Sequence, residues 1–166
     1  MKALIKVIGA IVVCLVVLLV VARITGLEPN QRRPGLWLKG ELVTTPVTDW
    51  SFANQVPNVK LQTNTWYGIP HSVNINCVSY KGQLYLDSFY AAGLTYPHGR
   101  NWNENVARDP HVRIKIGDKL YDRTLVLVTD PAEKEAVDEA KAKKYPSLKL
   151  PPGGTIVLFH VVDNSV

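Results

Sequence analysis

From Ala3 to Ile24 the chain carries only two charges, Lys6 and Arg23, and this stretch limits what the N-terminus can become. Val7–Ala22 holds no charged residue and is almost entirely Val, Leu, Ile and Ala. As a helix rising 1.5 Å per residue, residues 3–24 reach roughly 33 Å, about the thickness of one bilayer core. Both charges lie near the ends, where long side chains can snorkel to the interface. A cleaved signal peptide is the rival reading, with Met1-Lys2 as its charged start. The apolar run exceeds the usual h-region of about 7–15 residues, and no small-x-small pattern surrounds Val20-Val21-Ala22. The sequence therefore predicts a retained transmembrane helix whose partner is the lipid bilayer through residues 3–24. Lys2, Lys6 and the α-amine precede the helix, while Arg23, Arg32 and Arg33 follow it, so the positive-inside count is nearly balanced. The short N-terminal flank favours a cytoplasmic N-terminus and an extracytoplasmic domain.

The formal charge of +5 sits with that helix. Residues 1–33 hold five basic side chains against Glu28 alone, leaving the remainder close to neutral. Such a remainder has no electrostatic footprint for a phosphate backbone, which excludes nucleic acid as a partner. Two cysteines exclude a disulfide-dense scaffold and a four-cysteine zinc site. They cannot pair within one chain, because Cys14 lies in the apolar run and Cys77 in a strand pattern. At 166 residues there is room for about one domain. We read 1–27 as the anchor, 28–35 (two prolines, polar) as a linker and 36–166 as the domain.

Short strands with turn signals fill that domain. Val59–Thr65 is one. In Ser72–Tyr80, Val73, Ile75 and Cys77 alternate with polar residues, the period of a half-buried strand. Lys81-Gly82 turns it back into Gln83–Ser88. His111–Ile116, the turn Gly117-Asp118 and Lys119–Thr129 form a second hairpin. Thr155–Val162 is the last strand. Asn101-Trp102-Asn103-Glu104 has the form of a capping box, predicting a helix from its Asn101 cap to Arg108. Asp130-Pro131-Ala132-Glu133 starts another, running to Lys144. Lys141, Lys143 and Lys144 suit the negative end of its dipole, and its alanine-rich face predicts a surface position. About six antiparallel strands with short helices point to a small β-barrel, mainly β in class.

Catalytic motifs are missing: there is no P-loop, no Rossmann fingerprint and no Gly-x-Ser-x-Gly elbow. His71, His98, His111 and His160 show no i+3 or i+4 pairing, so no metal site is predicted. Cys77 reads as a small buried hydrophobe and His160 as structural. Two clusters remain. Thr65–Val73 brings aromatic rings, a glycine and hydroxyls to a hairpin turn, as a wall for a flat ligand or simply a turn with exposed rings. Tyr96–Trp102 puts His98 and Arg100 before a helix start, a place suited to anions. The alternative is a solvated loop with Trp102 in the core.

These clusters carry a resemblance. Gly68-x-Pro70-His71-Ser72-Val73, then Gly82-x-Leu84-Tyr85-Leu86, then Arg100-x-Trp102-x-x-Asn105-Val106-x-x-Asp109-Pro110-x-Val112 resembles the split β-barrel flavoproteins. That superfamily includes pyridoxamine-phosphate-oxidase-like and deazaflavin-dependent nitroreductase-like proteins. Val128-Thr129-Asp130-Pro131-Ala132-Glu133 resembles the start of their last helix. The resemblance spans Val59–Val162 and implies a split β-barrel that binds FMN or a deazaflavin. It implies a ring wall of Tyr67, Pro70, His71, Ser72, Val73 and Asn74, continued by Asp87, Ser88 and Phe89. It places the phosphate end among Arg100, Asn101, Trp102 and Asn105. It also implies a homodimer. The sequence departs from the pattern just after the second hairpin strand, where many relatives carry Arg or Lys and this chain runs Asp87-Ser88-Phe89-Tyr90-Ala91-Ala92-Gly93, and at His71, where relatives often carry Arg.

Two readings follow. One is a membrane-anchored oxidoreductase passing a hydride or electrons to a small or lipophilic acceptor. The other is a non-catalytic accessory subunit, docking in a membrane complex, that has lost its cofactor. Haem held by one histidine is a third, weaker option.

Overall fold

A computed structural model describes residues 1–150 and 152–164. The N-terminal helix α1 spans Lys2–Thr25, is long and apolar enough to cross a membrane, and buries none of its residues against the rest of the chain. Eight strands follow: β1 Glu41–Leu42, β2 Val59–Thr63, β3 His71–Ile75, β4 Cys77–Tyr80, β5 Gln83–Tyr90, β6 His111–Ile116, β7 Lys119–Leu127 and β8 Thr155–Val162. Helix α2 (Asn101–Arg108) lies between β5 and β6, and α3 (Pro131–Lys144) between β7 and β8. A short 3-10 turn covers Ser51–Gln55.

The strand order is β3-β2-β6-β7-β8-β5-β4, with antiparallel pairing throughout; the two-residue β1 joins β7 in parallel. The first and last strands of this path are separated in the chain by Asn76 alone. The single strand expected over Ser72–Tyr80 is thus two halves that diverge at Asn76: β3 pairs with β2, and β4 with β5. Counted as one bent strand, β3 and β4 close a six-stranded split barrel.

Local chemistry explains the hairpins. The Gly117-Asp118 turn has Gly117 at φ 61° and closes on the pair Ile116–Lys119, as a Gly-first primed turn requires. At Lys81-Gly82 both residues have positive φ (49° and 76°), the other primed form. Alternation then sorts the side chains. Val59, Leu61 and Thr63 of β2 are buried inside the barrel, while Lys60 and Gln62 face outward and are half-buried. The interior is filled by Leu61, Leu84, Leu86, Ile114, Phe159 and Val161, joined by Trp102 and Val106 from α2. Full burial of each such side chain stabilises the fold by about 1.5–3 kcal/mol.

Two helical expectations need correction. The Asn101 capping box does not form. Asn101 is the first helical residue of α2, Arg100 occupies the cap position without a side-chain bond, and Glu104 accepts the Gly99 N–H at 3.2 Å instead. One reason is that Arg100 has the extended backbone of a cap (φ −143°, ψ 113°), and its carbonyl takes the N–H groups of Asn103 and Glu104. Helix α3 starts as expected, with Asp130 accepting from the Ala132 and Glu133 amides. It does not simply lie on the surface, however. Val137 is fully buried in a second core with Val78, Tyr85, Val128 and Leu158, and Lys141 is buried with it.

Residues 28–35, read as a linker, are seated on the barrel. Gly35 and Ser72 exchange two backbone hydrogen bonds (2.8 and 2.9 Å) along the open edge of β3. A side chain at Gly35 would collide with the backbone of Leu27, Glu28 and Pro29. The Glu28 carboxylate bonds Lys60 of β2 and, at 2.5 Å, Lys115 of β6.

Candidate functional site

The ring wall carried over from the resemblance does not form one surface. Strand alternation divides it. His71 and Val73 stand on the inner face of β3, opposite Thr63 and Leu61, while Ser72 and Asn74 stand on the outer face. Ser72 is fully buried where Gly35 crosses it, and Asn74 donates to the Gln31 carbonyl at 2.9 Å. Pro70 is buried, whereas Tyr67 is well exposed. The His71 Nδ1 and Ser72 Oγ are buried without hydrogen-bond partners, and burial pushes the His71 pKa down.

Alternation also splits Asp87-Ser88-Phe89. Ser88 faces inward and its Oγ accepts from Asn103 Nδ2 at 2.7 Å. Asp87 and Phe89 face outward, beneath α3. There Lys141 Nζ lies 2.9 Å from Asp87 Oδ2 and 4.2 Å from the Phe89 ring centre. Asp87 is therefore offset by Lys141. The sequence read Lys141 as a dipole partner because nothing in a helical lysine's spacing shows what strand lies beneath it.

The proposed phosphate end is partly committed to structure. Trp102 packs on Phe159 with ring centres 5.5 Å apart. Asn105 Nδ2 donates to Thr63 Oγ1 at 3.0 Å, so α2 is tied to β2 on one side and β5 on the other. Asn101 is exposed. Arg100 is exposed too, with its guanidinium 6.0 Å from the Tyr90 ring centre.

A groove lies elsewhere, on the outer face of β2, β6 and β7 beside the end of α1. It has two adjoining lobes of about 500 and 290 Å³, both lined by Arg23, Trp37, Gln62 and Asn64. The larger adds His111, Arg113 and Asp122; the smaller adds Thr65, Gly68 and Pro70 from the first sequence cluster. Arg113 and Asp122 form a two-pronged ion pair at 2.7 and 2.8 Å. Asp122 raises the Arg113 pKa through those bonds. Gln62 Oε1 accepts the Leu38 amide at 2.7 Å, and Asn64 donates to Asp109 at 2.8 Å. Arg23 makes no ion pair among the described residues. The sequence pattern held a usable signal for this groove: the residues alternating with Val59, Leu61 and Thr63 are Lys60, Gln62 and Asn64, a polar outer row. Arg23 and Trp37 come from outside the barrel and had no such signal.

The other titratable candidates are structural. His160 stacks on Tyr85 (ring centres 4.9 Å apart) and sits 3.1 Å from Gln83 Oε1. Cys77 is fully buried, and burial pushes its thiol pKa up despite Lys144 at 3.4 Å. Among the described residues no group of three His, Cys, Asp or Glu side chains is arranged to hold a metal.

The chain is similar in structure to a protein assigned as a pyridoxamine 5′-phosphate oxidase from Listeria innocua. The two are 21% identical with a TM-score of 0.50, covering 68% of this chain and 88% of that one. It is similar also to a conserved hypothetical protein of Mycobacterium tuberculosis, 16% identical with a TM-score of 0.51, over 78% and 86% of the two chains. An F420-H2-dependent reductase shares 22% identity over 70% and 98% of the two chains, with a TM-score of 0.42. The fold is the split β-barrel that the sequence motifs implied. No family model and no curated protein matches the chain.

Proposed function

We propose that this chain is a membrane-anchored split-barrel oxidoreductase that takes FMN or a deazaflavin in the Arg23–Trp37 groove and serves a small or lipophilic acceptor. The observation that carries the reading is the donor set of that groove, on this fold, at the end of a helix long enough to span a bilayer. The chemistry of the set fits an anionic, planar group. Arg23 offers a guanidinium with no internal carboxylate partner among the described residues, a fork suited to phosphate oxygens. Trp37 offers an aromatic face, and Gln62 keeps its amide N–H groups for a ring carbonyl because its oxygen is spent on Leu38. When bound, the cofactor supplies the hydride or electron chemistry, and the protein supplies binding and orientation. No side chain then has to act as acid or base. By the family resemblance the working unit is a homodimer. The N-terminus is cytoplasmic and the barrel extracytoplasmic in this reading.

One observation favours the second reading, a non-catalytic docking subunit. The β3 surface that the resemblance assigns to the ring is partly spent internally, on Gly35 at Ser72 and Gln31 at Asn74. One experiment separates the two readings. The full chain, extracted in mild detergent, is titrated with FMN and with a deazaflavin by fluorescence. Binding is expected, and Arg23→Ala should weaken it roughly 10- to 150-fold, the worth of a hydrogen bond to a charged group. Loss on Arg100→Ala instead moves the phosphate to the start of α2. No binding of either compound by the parent chain overturns the reading in favour of the docking subunit, and a Soret band would assign haem.

A further inference from the structure

We propose that the Thr65–Pro70 turn is a second membrane contact, with Trp66 and Tyr67 seated in the headgroup layer of the bilayer that α1 crosses. This rests on the membrane-anchored reading above. The turn joins β2 to β3 and carries two aromatic residues left largely outside the fold: Trp66 is 81% exposed and Tyr67 57%. Their rings meet edge to face, with centres 5.3 Å apart, so they form one aromatic knob. The Thr65 hydroxyl donates to the Ile69 carbonyl at 2.5 Å, and Gly68 turns the backbone at φ 79°. The knob is therefore presented by a bonded turn, not by a loose loop.

Its position decides the partner. Arg23, in the last turn of α1, lines one groove lobe together with Thr65, Gly68 and Pro70. The turn thus lies beside the point where the apolar helix ends, which is where a spanning helix leaves the hydrocarbon. Tryptophan and tyrosine favour that depth because each combines an apolar ring with a polar N–H or O–H. Of the other three tryptophans, Trp50 and Trp102 are buried in the core and Trp37 is half-buried in the groove. The groove bordered by the same turn then opens at the lipid surface, where amphiphilic acceptors collect.

The test uses tryptophan emission of the full chain in phosphatidylcholine–phosphatidylglycerol nanodiscs, compared with Trp66→Phe. Their difference isolates Trp66, and an exposed position should tolerate the change. We expect the Trp66 emission to be quenched several-fold more by lipids brominated near the headgroup than by lipids brominated near the chain ends. Equal access to aqueous iodide with and without the bilayer, and no bromolipid quenching, would overturn the proposal while leaving the anchor intact. Release of the chain from vesicles by alkaline carbonate would overturn the anchor and this contact together.

Discussion

Lys141 Nζ stands 2.9 Å from Asp87 Oδ2, and both side chains are almost wholly withdrawn from water (5% and 3% exposed). The pair joins α3 to β5 under the second core. Burial pushes the Asp87 pKa up, and Lys141 pulls it part of the way back. Lys141→Met removes that compensation and should destabilise the fold by about 3–5 kcal/mol at neutral pH. The sign with pH follows from linkage. A carboxyl whose folded pKa is raised binds its proton more tightly when folded. The deficit of the variant should therefore be absent below about pH 3.9 and grow as pH rises. The double variant Asp87→Leu/Lys141→Met should recover most of the loss. Urea unfolding of the detergent-solubilised chain measures all three; equal losses in the single and double variants would show that the charge is not the cause.

Glu28 behaves in the opposite sense. Burial raises its pKa, but hydrogen bonds from Lys115, Lys60 and the Lys39 amide outweigh that and leave it below the usual glutamate value. A depressed folded pKa gives stability that is present above the ordinary value of about 4.3 and is lost as pH falls through the folded value. Glu28→Gln should flatten this acid limb of the stability profile. It should also speed proteolysis between residues 28 and 35, because the two lysines no longer hold that segment. An unchanged profile and unchanged cleavage would leave Glu28 without a clamping role.

Asn103 and Ser88 connect α2 to β5 through one buried hydrogen bond. Asn103→Ala should cost about 1–3 kcal/mol, because the Ser88 hydroxyl then lacks its partner in the interior. Ser88→Ala alone should cost a similar amount. In the double variant the losses should fall short of additive by about 1 kcal/mol, the coupling a shared bond produces. Strict additivity in thermal unfolding would argue against the bond.

Strand alternation made most of the barrel legible in the sequence. Val73, Ile75 and Cys77 marked the bent strand, and Gly117-Asp118 marked the second hairpin. The break at Asn76 was not legible, because a residue where one strand leaves one neighbour for another has no local signature. The candidate site was less legible for a related reason. Motif resemblance treats neighbours in sequence as neighbours in a site, yet Asp87 and Ser88 face opposite sides of β5. Lys141 and Arg23 come from helices whose own patterns say nothing of the strands they reach. Asp130, in contrast, was readable because a cap is satisfied within four residues of itself.

The pairing of Gly35 with Ser72 bears on how a soluble version of the protein could be made. Trimming the apolar helix is the obvious route, and the polar stretch 28–35 invites a cut beyond it. A cut after residue 35 would remove Gly35 and leave the backbone groups of Ser72 unpaired on an open strand. An open strand recruits another chain, by stacking or by exchange of segments. Aggregation of such a fragment would then reflect the lost edge and not instability of the barrel. A cut before Leu27 keeps the strap, its Glu28 contacts and the covered edge of β3 together.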